Sequence, residues 1–512
     1  MISPRVKRQD YFWAALSGAL LAMSFPIFNF WPLAWFCLVP LLLCTHGKDG
    51  KTAFFLGTFA GVIAYLGLIY WIVVAVHRYG KIPLPLTIPI LLLLVLYLSL
   101  YWGVFTYLCS YRREKDDLIS LLVFPAVWVG LEYLRSFFLT GFPWASLGYS
   151  QYLNIPFVQI ADITAVYGIS FLLILVNILI FLWFVRWRER MHMPLKGTIM
   201  TVTLLTLVFL YGYWKIHSPL VMGKMLNVGV IQGNIPQDIK WESSFQYETL
   251  EIYRRLTLSL KESSPDLIVW PETALPSYFP SGKELDKKIV AIPEEVDSYI
   301  LFGSLSAKKG EKDLEIYNSA YLFSPTSAIL GRYDKIHLVP FGEYIPLSRV
   351  FPFFNALVGI GNITAGKEAV LFRLPEGTFG VLICFEVIFP ELCRKFVRKG
   401  ANFMVTITND AWFGRTSAPY QHLAQATFRS IENRMWLVRA ANTGISAFVD
   451  PWGRIQKAGG LFTREVLTEK IALSHGKITF YTKNGDLFAT ICSLLGIGFI
   501  GYAIIRRIRF NA

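Results

Sequence analysis

Charge is scarce in this 512-residue chain: 16% of its residues are Asp, Glu, Lys or Arg, and only 35 are acidic. Composition that poor in charge is foreign both to disordered tails and to ordinary soluble domains. Histidine (7 residues) and cysteine (6 residues) are scarce and scattered. No zinc-finger or similar cysteine–histidine spacing occurs, so neither a metal site nor another cofactor is expected. Internal repeats and low-complexity segments are absent from the sequence. A small-residue cleavage site is missing as well: the first apolar stretch runs straight into FPIFNFWPLAW, which argues for a retained helix over a removable signal.

What fills the chain instead is apolar. Hydrophobic residues make up 54%, with 40 Phe and 15 Trp, and the mean hydropathy is +0.46. These residues gather outside the middle. A membrane span takes roughly 20 apolar residues, and the runs predict eight: 11–28, 31–45, 53–76, 85–111, 118–136, 163–186, 195–213 and 486–505. The second is short and contains proline, so seven spans plus a buried or re-entrant segment is the rival count. Basic clusters (Arg5, Lys7 and Arg8; Lys48 and Lys51; Arg112, Arg113 and Lys115; Arg186, Arg188, Arg190 and Lys196; Arg506, Arg507 and Arg509) flank these runs. An even number of spans puts them all on one side, the cytoplasmic side by the positive-inside rule. Both termini are then cytoplasmic, and the middle segment faces the opposite compartment. The net charge of +14 is explained by these flanking clusters, which speaks against a nucleic-acid partner. Four cysteines (Cys37, Cys44, Cys109 and Cys492) fall in the apolar runs as packing residues, leaving Cys384 and Cys393 in the middle, with Cys384 expected free.

The expected division is a seven-span region over 1–220, a middle domain over 221–484 that alternates like a soluble one, and a final span with its tail over 485–512. Within the middle, MLNVGVIQGNIPQDIKW reads as a strand ending in turn residues. An amphipathic helix follows, carrying Phe245, Ile252, Tyr253, Leu256 and Leu260 on one face. DLIVW, YILFGSL, YNSAYLFS, FGVLICFE, ANFMVTITND, MWLVRAANTG and ISAFVDPWG are short strand-like runs closed by Gly, Pro, Asn or Asp. Helices are expected at 285–297, 387–398 and 417–434. Together they describe a layered α/β domain.

Three of those runs place a reactive side chain at or just past a strand end: Glu272 in DLIVWPETALP, Lys335 in GRYDKIHLVPFGEY and Cys384 in FGVLICFE. A thiol at a strand-to-helix turn can be a nucleophile whose thiolate is stabilised by helix amides, or one more buried small side chain. It needs a base. His337 and His422 are available without being singled out, whereas Glu272, beside apolar sequence, can serve if its proton affinity is raised. Lys335 can support a thiolate and an oxyanion, or be a solvated turn lysine. Glu343 can orient that lysine or cap a turn, and Glu386 can close a pocket or form a buried salt bridge. The passage from Tyr344 to Lys367, containing Phe353 and Leu357, suits a membrane-facing lid as well as a packed insert. Trp412 and Phe413 in AWFG offer an apolar flap or core. Trp241, at the end of the QGNIPQDIKW stretch, is counted with these supporting residues. Arg135 ends the fifth run, and GFPWASLGY beyond it is either an interface anchor or a substrate entrance.

Taken in order, these motifs resemble the bacterial apolipoprotein N-acyltransferases, membrane members of the nitrilase (carbon–nitrogen hydrolase) superfamily. The resemblance covers essentially the whole chain. It rests on WPETALP, YDKIHLVPFGEY, LICFE, TNDAWFG, RAANTGISAFVDPWG and TFYTKNGD, together with the spans. It implies a nitrilase-like αββα catalytic domain joined to an eight-helix transmembrane domain, with a catalytic triad of Glu272, Lys335 and Cys384 supported by Glu343 and Glu386. Phe385 stands where the family often has tyrosine, which questions a hydroxyl contact there. The implied reaction takes a fatty acyl chain from a phospholipid, typically phosphatidylethanolamine, onto Cys384. It then passes to the N-terminal amine of diacylglyceryl-cysteine in apolipoproteins. The implied setting is the bacterial inner membrane, with the catalytic domain periplasmic, and the protein is expected to be monomeric. Two other readings stand beside this one: a membrane-anchored nitrilase-type amidase with water as acceptor, and a non-enzymatic lipid transporter or scaffold.

Overall fold

The computed structural model describes residues 6–112, 117–238, 240, 242–309, 314–344, 363–475 and 478–511. The chain divides into two compact units, one of residues 1–73, 83–218 and 484–512, the other of residues 74–82 and 219–483.

The first unit is helical. Among the described residues, five helices are long and apolar enough to cross a membrane: Gly50–Ile69, Leu84–Cys109, Asp117–Thr140, Ala161–Arg188 and Leu195–His217. Of the other three expected spans, two are shorter helices, Arg8–Met23 and Trp31–Thr45, and the last lies in the helix Leu487–Asn511. The second is broken, a 3-10 piece at Trp31–Trp35 followed by Val39–Thr45, each with a proline in its first turn. A break leaves backbone groups that apolar surroundings cannot satisfy. Asn177 covers this one, accepting from the Leu38 amide at 2.8 Å and donating to the Ala34 carbonyl at 3.0 Å. Outward-facing Leu93, Ile199, Val202, Leu207 and Leu210 are exposed, as expected of helices whose solvent is lipid.

The second unit is built on two sheets. One has the order β13-β1-β2-β4-β5-β6, with β3 against β4, and the other runs β12-β11-β10-β9-β8-β7. The strands are β1 (Met222–Gln232), β2 (Leu267–Val269), β3 (Leu275–Tyr278), β4 (Tyr299–Lys309), β5 (Leu314–Phe323), β6 (Ile329–Asp334), β7 (Leu371–Arg373), β8 (Thr378–Ile383), β9 (Phe403–Thr408), β10 (Leu437–Ala441), β11 (Ala447–Val449), β12 (Ile455–Ala458) and β13 (Glu465–Ser474). The centres are parallel: β1 with β2 and β2 with β4 in the first sheet, and β8 with β9 and β9 with β10 in the second. Parallel strands need covering on both faces. Helices Gln246–Leu258 and Glu284–Val296 supply Leu250, Ile252, Tyr253, Leu285, Ile289 and Ile292 to the core over the first sheet. Pro390–Arg398 and Ala418–Asn433 pack on the second. The helices expected at 285–297 and 417–434 are thus present. The one expected from 387 begins instead as a 3-10 turn, Cys384–Ile388, because Pro390 sets a fresh helix start. The β13 strand, paired antiparallel with β1, has a mixed, half-buried pattern that gave no clear period.

Candidate active site

All three reactive side chains leave the ends of strands. Glu272 follows β2, Lys335 follows β6 directly, and Cys384 follows β8. The turn carrying Glu272 lies hard against β4. A Cβ on Gly303 would stand 2.7 Å from the Thr273 nitrogen and 2.8 Å from the Glu272 Cα, so glycine is what lets the turn sit there. Cys384 has φ +54°, a left-handed conformation unusual for a residue with a side chain. It opens the 3-10 turn and so points away from the strand's own path.

The three are buried: Lys335 is 1% exposed, Glu272 6% and Cys384 8%. The Lys335 ammonium lies 2.9 Å from Glu343 and 3.7 Å from Glu272. Glu272 is fixed from two more sides, accepting from the Asn318 amide at 2.8 Å and from the Asn409 backbone N–H at 2.9 Å. Glu343 accepts from Asn318 at 3.0 Å and from the Val339 N–H at 2.8 Å. Burial alone would strip the proton from Lys335, but the carboxylates of Glu343 and Glu272, with Cys384 behind them, outweigh it and hold the ammonium firmly charged. Burial pushes the Cys384 thiol up and the Glu272 charge adds to the rise, while Lys335 opposes it. The resting group is a thiol that must hand its proton to a base.

The remaining expected residues fall as follows. Glu386 is wholly buried. It accepts from the backbone N–H groups of Ile336 (2.7 Å), His337 (3.0 Å) and Ile383 (2.7 Å) and from the Tyr333 hydroxyl (2.8 Å), tying the Lys335 loop to the Cys384 turn. Burial raises its carboxyl to about 7 against the pull of those amides. Phe385 is buried and packs edge-on to Phe389. Trp412 and Phe413 share a half-buried turn, with Trp412 against Tyr79 and Phe413 edge-on to His422. Trp241, Phe353 and Leu357, and most of the expected lid, lie outside the described residues. Arg135 belongs to the helical unit, where it donates to Tyr65 and Ser146. Neither histidine stands as a free base. His337 lies 3.7 Å from the Phe389 ring, its pKa driven down to about 4 mainly by burial, and both ring nitrogens of His422 are engaged elsewhere. Cys384 and Cys393 are both free thiols. Among the described residues, no group of three or more His, Cys, Asp or Glu side chains could hold a metal.

Residues the sequence did not single out complete the site. Asn318 lies in β5 and Asn409 just past β9. Lys240 is wholly buried, with its ammonium 2.9 Å from the Thr273 hydroxyl. Burial pushes Lys240 down to about 8, and Glu272 opposes that fall. A polar residue in an apolar strand, as in YNSAYLF, was the available signal for Asn318.

The chain matches two family models in succession, the apolipoprotein N-acyltransferase N-terminal domain over residues 17–179 and carbon–nitrogen hydrolase over residues 227–477. It is 46% identical over 492 residues to the apolipoprotein N-acyltransferase of Geobacter metallireducens, covering 95% of this chain and 94% of that one. It is 31% identical to the protein of the same name from Pasteurella multocida, over 97% and 96% of the two chains. Among solved structures, Saccharomyces cerevisiae Nit3, a member of branch 10 of the nitrilase superfamily, aligns with a TM-score of 0.39 and 19% identity, over 50% of this chain and 93% of that one. The chain belongs to the apolipoprotein N-acyltransferase family, with a domain of the carbon–nitrogen hydrolase superfamily.

Proposed function

We propose that this protein N-acylates apolipoproteins, moving a fatty acyl chain from a membrane phospholipid through a thioester on Cys384. The observation that carries the reading is the joint burial, at three strand ends, of a thiol, a carboxylate and a lysine ammonium paired with carboxylates. In the first half-reaction Glu272 takes the thiol proton while Sγ attacks the ester carbonyl. Lys335 balances the oxyanion. The C–O bond then breaks, and the departing lysophospholipid oxygen takes the proton back from Glu272. In the second half-reaction the α-amine of diacylglyceryl-cysteine attacks the thioester, Glu272 accepts the amine proton, and the C–S bond breaks as the thiol is re-formed. The two lipids can use one site in turn, which is ping-pong chemistry.

The donor is proposed to be phosphatidylethanolamine, cleaved at its sn-1 chain, and the enzyme a monomer of the inner membrane. The catalytic unit would face the periplasm, with both termini in the cytoplasm, as the basic clusters suggest. Purified protein incubated with phospholipid should gain an acyl mass on the Cys384 peptide, and a diacylglyceryl-cysteine peptide should discharge it as triacylated product. Acylation mapped to another residue rejects the mechanism. Hydrolysis of a small amide without lipid transfer favours the amidase reading, and unimpaired lipoprotein acylation by Cys384→Ala rejects the nucleophile.

A further inference from the structure

Behind the Cys384 turn lies a second polar cluster that the thiol chemistry above does not use. His422, Asp410 and Arg439 are all 0% exposed. The His422 Nε2 atom is 3.2 Å from the carbonyl oxygen of Cys384. Its Nδ1 is 3.0 Å from the Arg439 Nη2 and 3.0 Å from Asp410 Oδ1. Arg439 Nη2 in turn donates to Asp410 Oδ2 at 2.7 Å, and the Thr408 hydroxyl donates to Asp410 Oδ1 at 2.9 Å.

These partners fix the imidazole. A carbonyl oxygen can only accept, so Nε2 carries the hydrogen and donates to Cys384. Nδ1 lies between the Arg439 guanidinium, which can only donate, and the Asp410 carboxylate, which can only accept, so that side of the ring is held through both groups. Burial and Arg439 hold the imidazole pKa down against the pull of Asp410. Asp410 has its charge matched by Arg439, and a Cβ on Gly444 would come within 2.3 Å of its Oδ2, so the carboxylate is enclosed on that side too.

The peptide it holds is the one that needs holding. A left-handed conformation costs a side-chain-bearing residue on the order of 1–2 kcal/mol, and it persists only where the surroundings determine it. Cys384 is clamped from both directions: Glu386 accepts from the preceding Ile383 amide at 2.7 Å, and His422 donates to the Cys384 carbonyl. We propose that Asp410, Arg439 and His422 form a positioning relay that holds the Cys384 backbone in its left-handed conformation, so that the thiol is aimed at the acyl carbonyl alongside Lys335. His422 acts through Cys384 and touches no substrate.

The proposal rests on the Cys384 thioester reading, and two reactions of the same thiol separate the two claims. Alkylation by iodoacetamide needs a reactive sulfur but little alignment, whereas thioester formation from phospholipid needs the sulfur, carbonyl and Lys335 in register. With full-length protein in lipid nanodiscs, His422→Leu should slow single-turnover thioester formation about 100-fold, the scale of a misplacement near 1 Å. Alkylation should stay within about threefold of the parent, with kcat falling and the phospholipid KM little changed. His422→Gln, which restores an N–H donor toward the carbonyl, should recover at least about tenfold of the loss. If His422→Leu does not elute as folded protein, His422→Asn, whose amide falls short of the carbonyl, takes its place with the same expectation. Equal losses in alkylation and acylation, unchanged acylation, or a Gln variant no better than Leu each overturn the relay. Parent protein that alkylates but forms no thioester overturns the parent reading and the relay with it. A normal parent thioester with an unaffected His422 variant overturns the relay alone.

Discussion

Asn318 donates its side-chain amide to Glu272 across 2.8 Å from within β5. The same nitrogen reaches Glu343 at 3.0 Å, so one neutral donor holds two carboxylates in place around a single ammonium. Among the described residues, its own Oδ1 is buried without a partner. That arrangement is worth keeping only if the amide faces the carboxylates, since an orphaned buried acceptor costs about 1–3 kcal/mol.

Asn318→Ala should therefore slow Cys384 acylation by about 100-fold, the loss typical of one preorganised donor in a dry site. Asn318→Asp should be slower still at neutral pH, because a third carboxyl raises the proton affinity of its neighbours. Single-turnover mass spectrometry of the Cys384 peptide reads both. Rates matching the parent in both variants would remove Asn318 from the proton-transfer machinery.

Lys240 supplies a stability test with a defined sign. Its ammonium titrates near 8 in the folded protein, below the ordinary lysine value of 10.5, chiefly because it is buried. The native state then binds fewer protons than the unfolded chain between those values, so stability rises with pH through that window, and below about 8 the buried charge is a standing cost. Lys240→Met should raise the thermal midpoint at pH 7 and abolish the rise above pH 8. It should also slow acylation, since Glu272 loses a nearby cation. A lowered midpoint at pH 7 would mean the ammonium is better paired than its contact with Thr273 indicates.

His337 gives the opposite limb. Its folded pKa, near 4, is below the free value of 6.5, so the unfolded chain takes up the proton first and stability falls as pH drops from about 6.5 to about 4. His337→Phe preserves stacking on Phe389 and removes that dependence. Glu386, raised to about 7, contributes a slope of the other sign over much of this range, so the informative quantity is the variant-minus-parent difference in midpoint. A difference that stays flat from pH 4 to 6.5 contradicts the assignment.

Gly303→Ala should push the Glu272 turn off β4, given the 2.7–2.8 Å approaches its Cβ would make to backbone atoms. Overpacking of this kind costs about 1–3 kcal/mol. Acylation should drop with it, and so should iodoacetamide labelling of Cys384, because both need Glu272 to take the thiol proton. Denaturant unfolding and the two labelling rates check the pair of effects, and an unaltered acylation rate would show that the turn has room to shift.

The membrane unit was legible as far as local hydrophobicity carries information. Long uninterrupted runs such as 53–76 and 163–186 became helices of 20 and 28 residues. The proline-bearing stretch at 31–45 was ambiguous from the start, and its break is made tolerable by Asn177, a residue from a distant helix. In the catalytic unit, strand ends were readable because Gly, Pro, Asn and Asp stop apolar runs for local reasons. The contacts of Glu386 were not legible, because most of its partners are backbone amides, which leave no mark in a sequence.

The sequence by itself determined the class, the succession of apolar helices and the position of Glu272, Lys335 and Cys384 just past strand ends, since burial periodicity and turn chemistry act over a few residues. Only the tertiary structure decided what surrounds them. Glu272 and the Asn409 amide are 137 residues apart in the chain and 2.9 Å apart in space, and His422 meets the Cys384 carbonyl across 38 residues. Such pairings are set by the order and register of strands in two sheets. Those depend on contacts between segments far apart in the chain, and no local pattern encodes them.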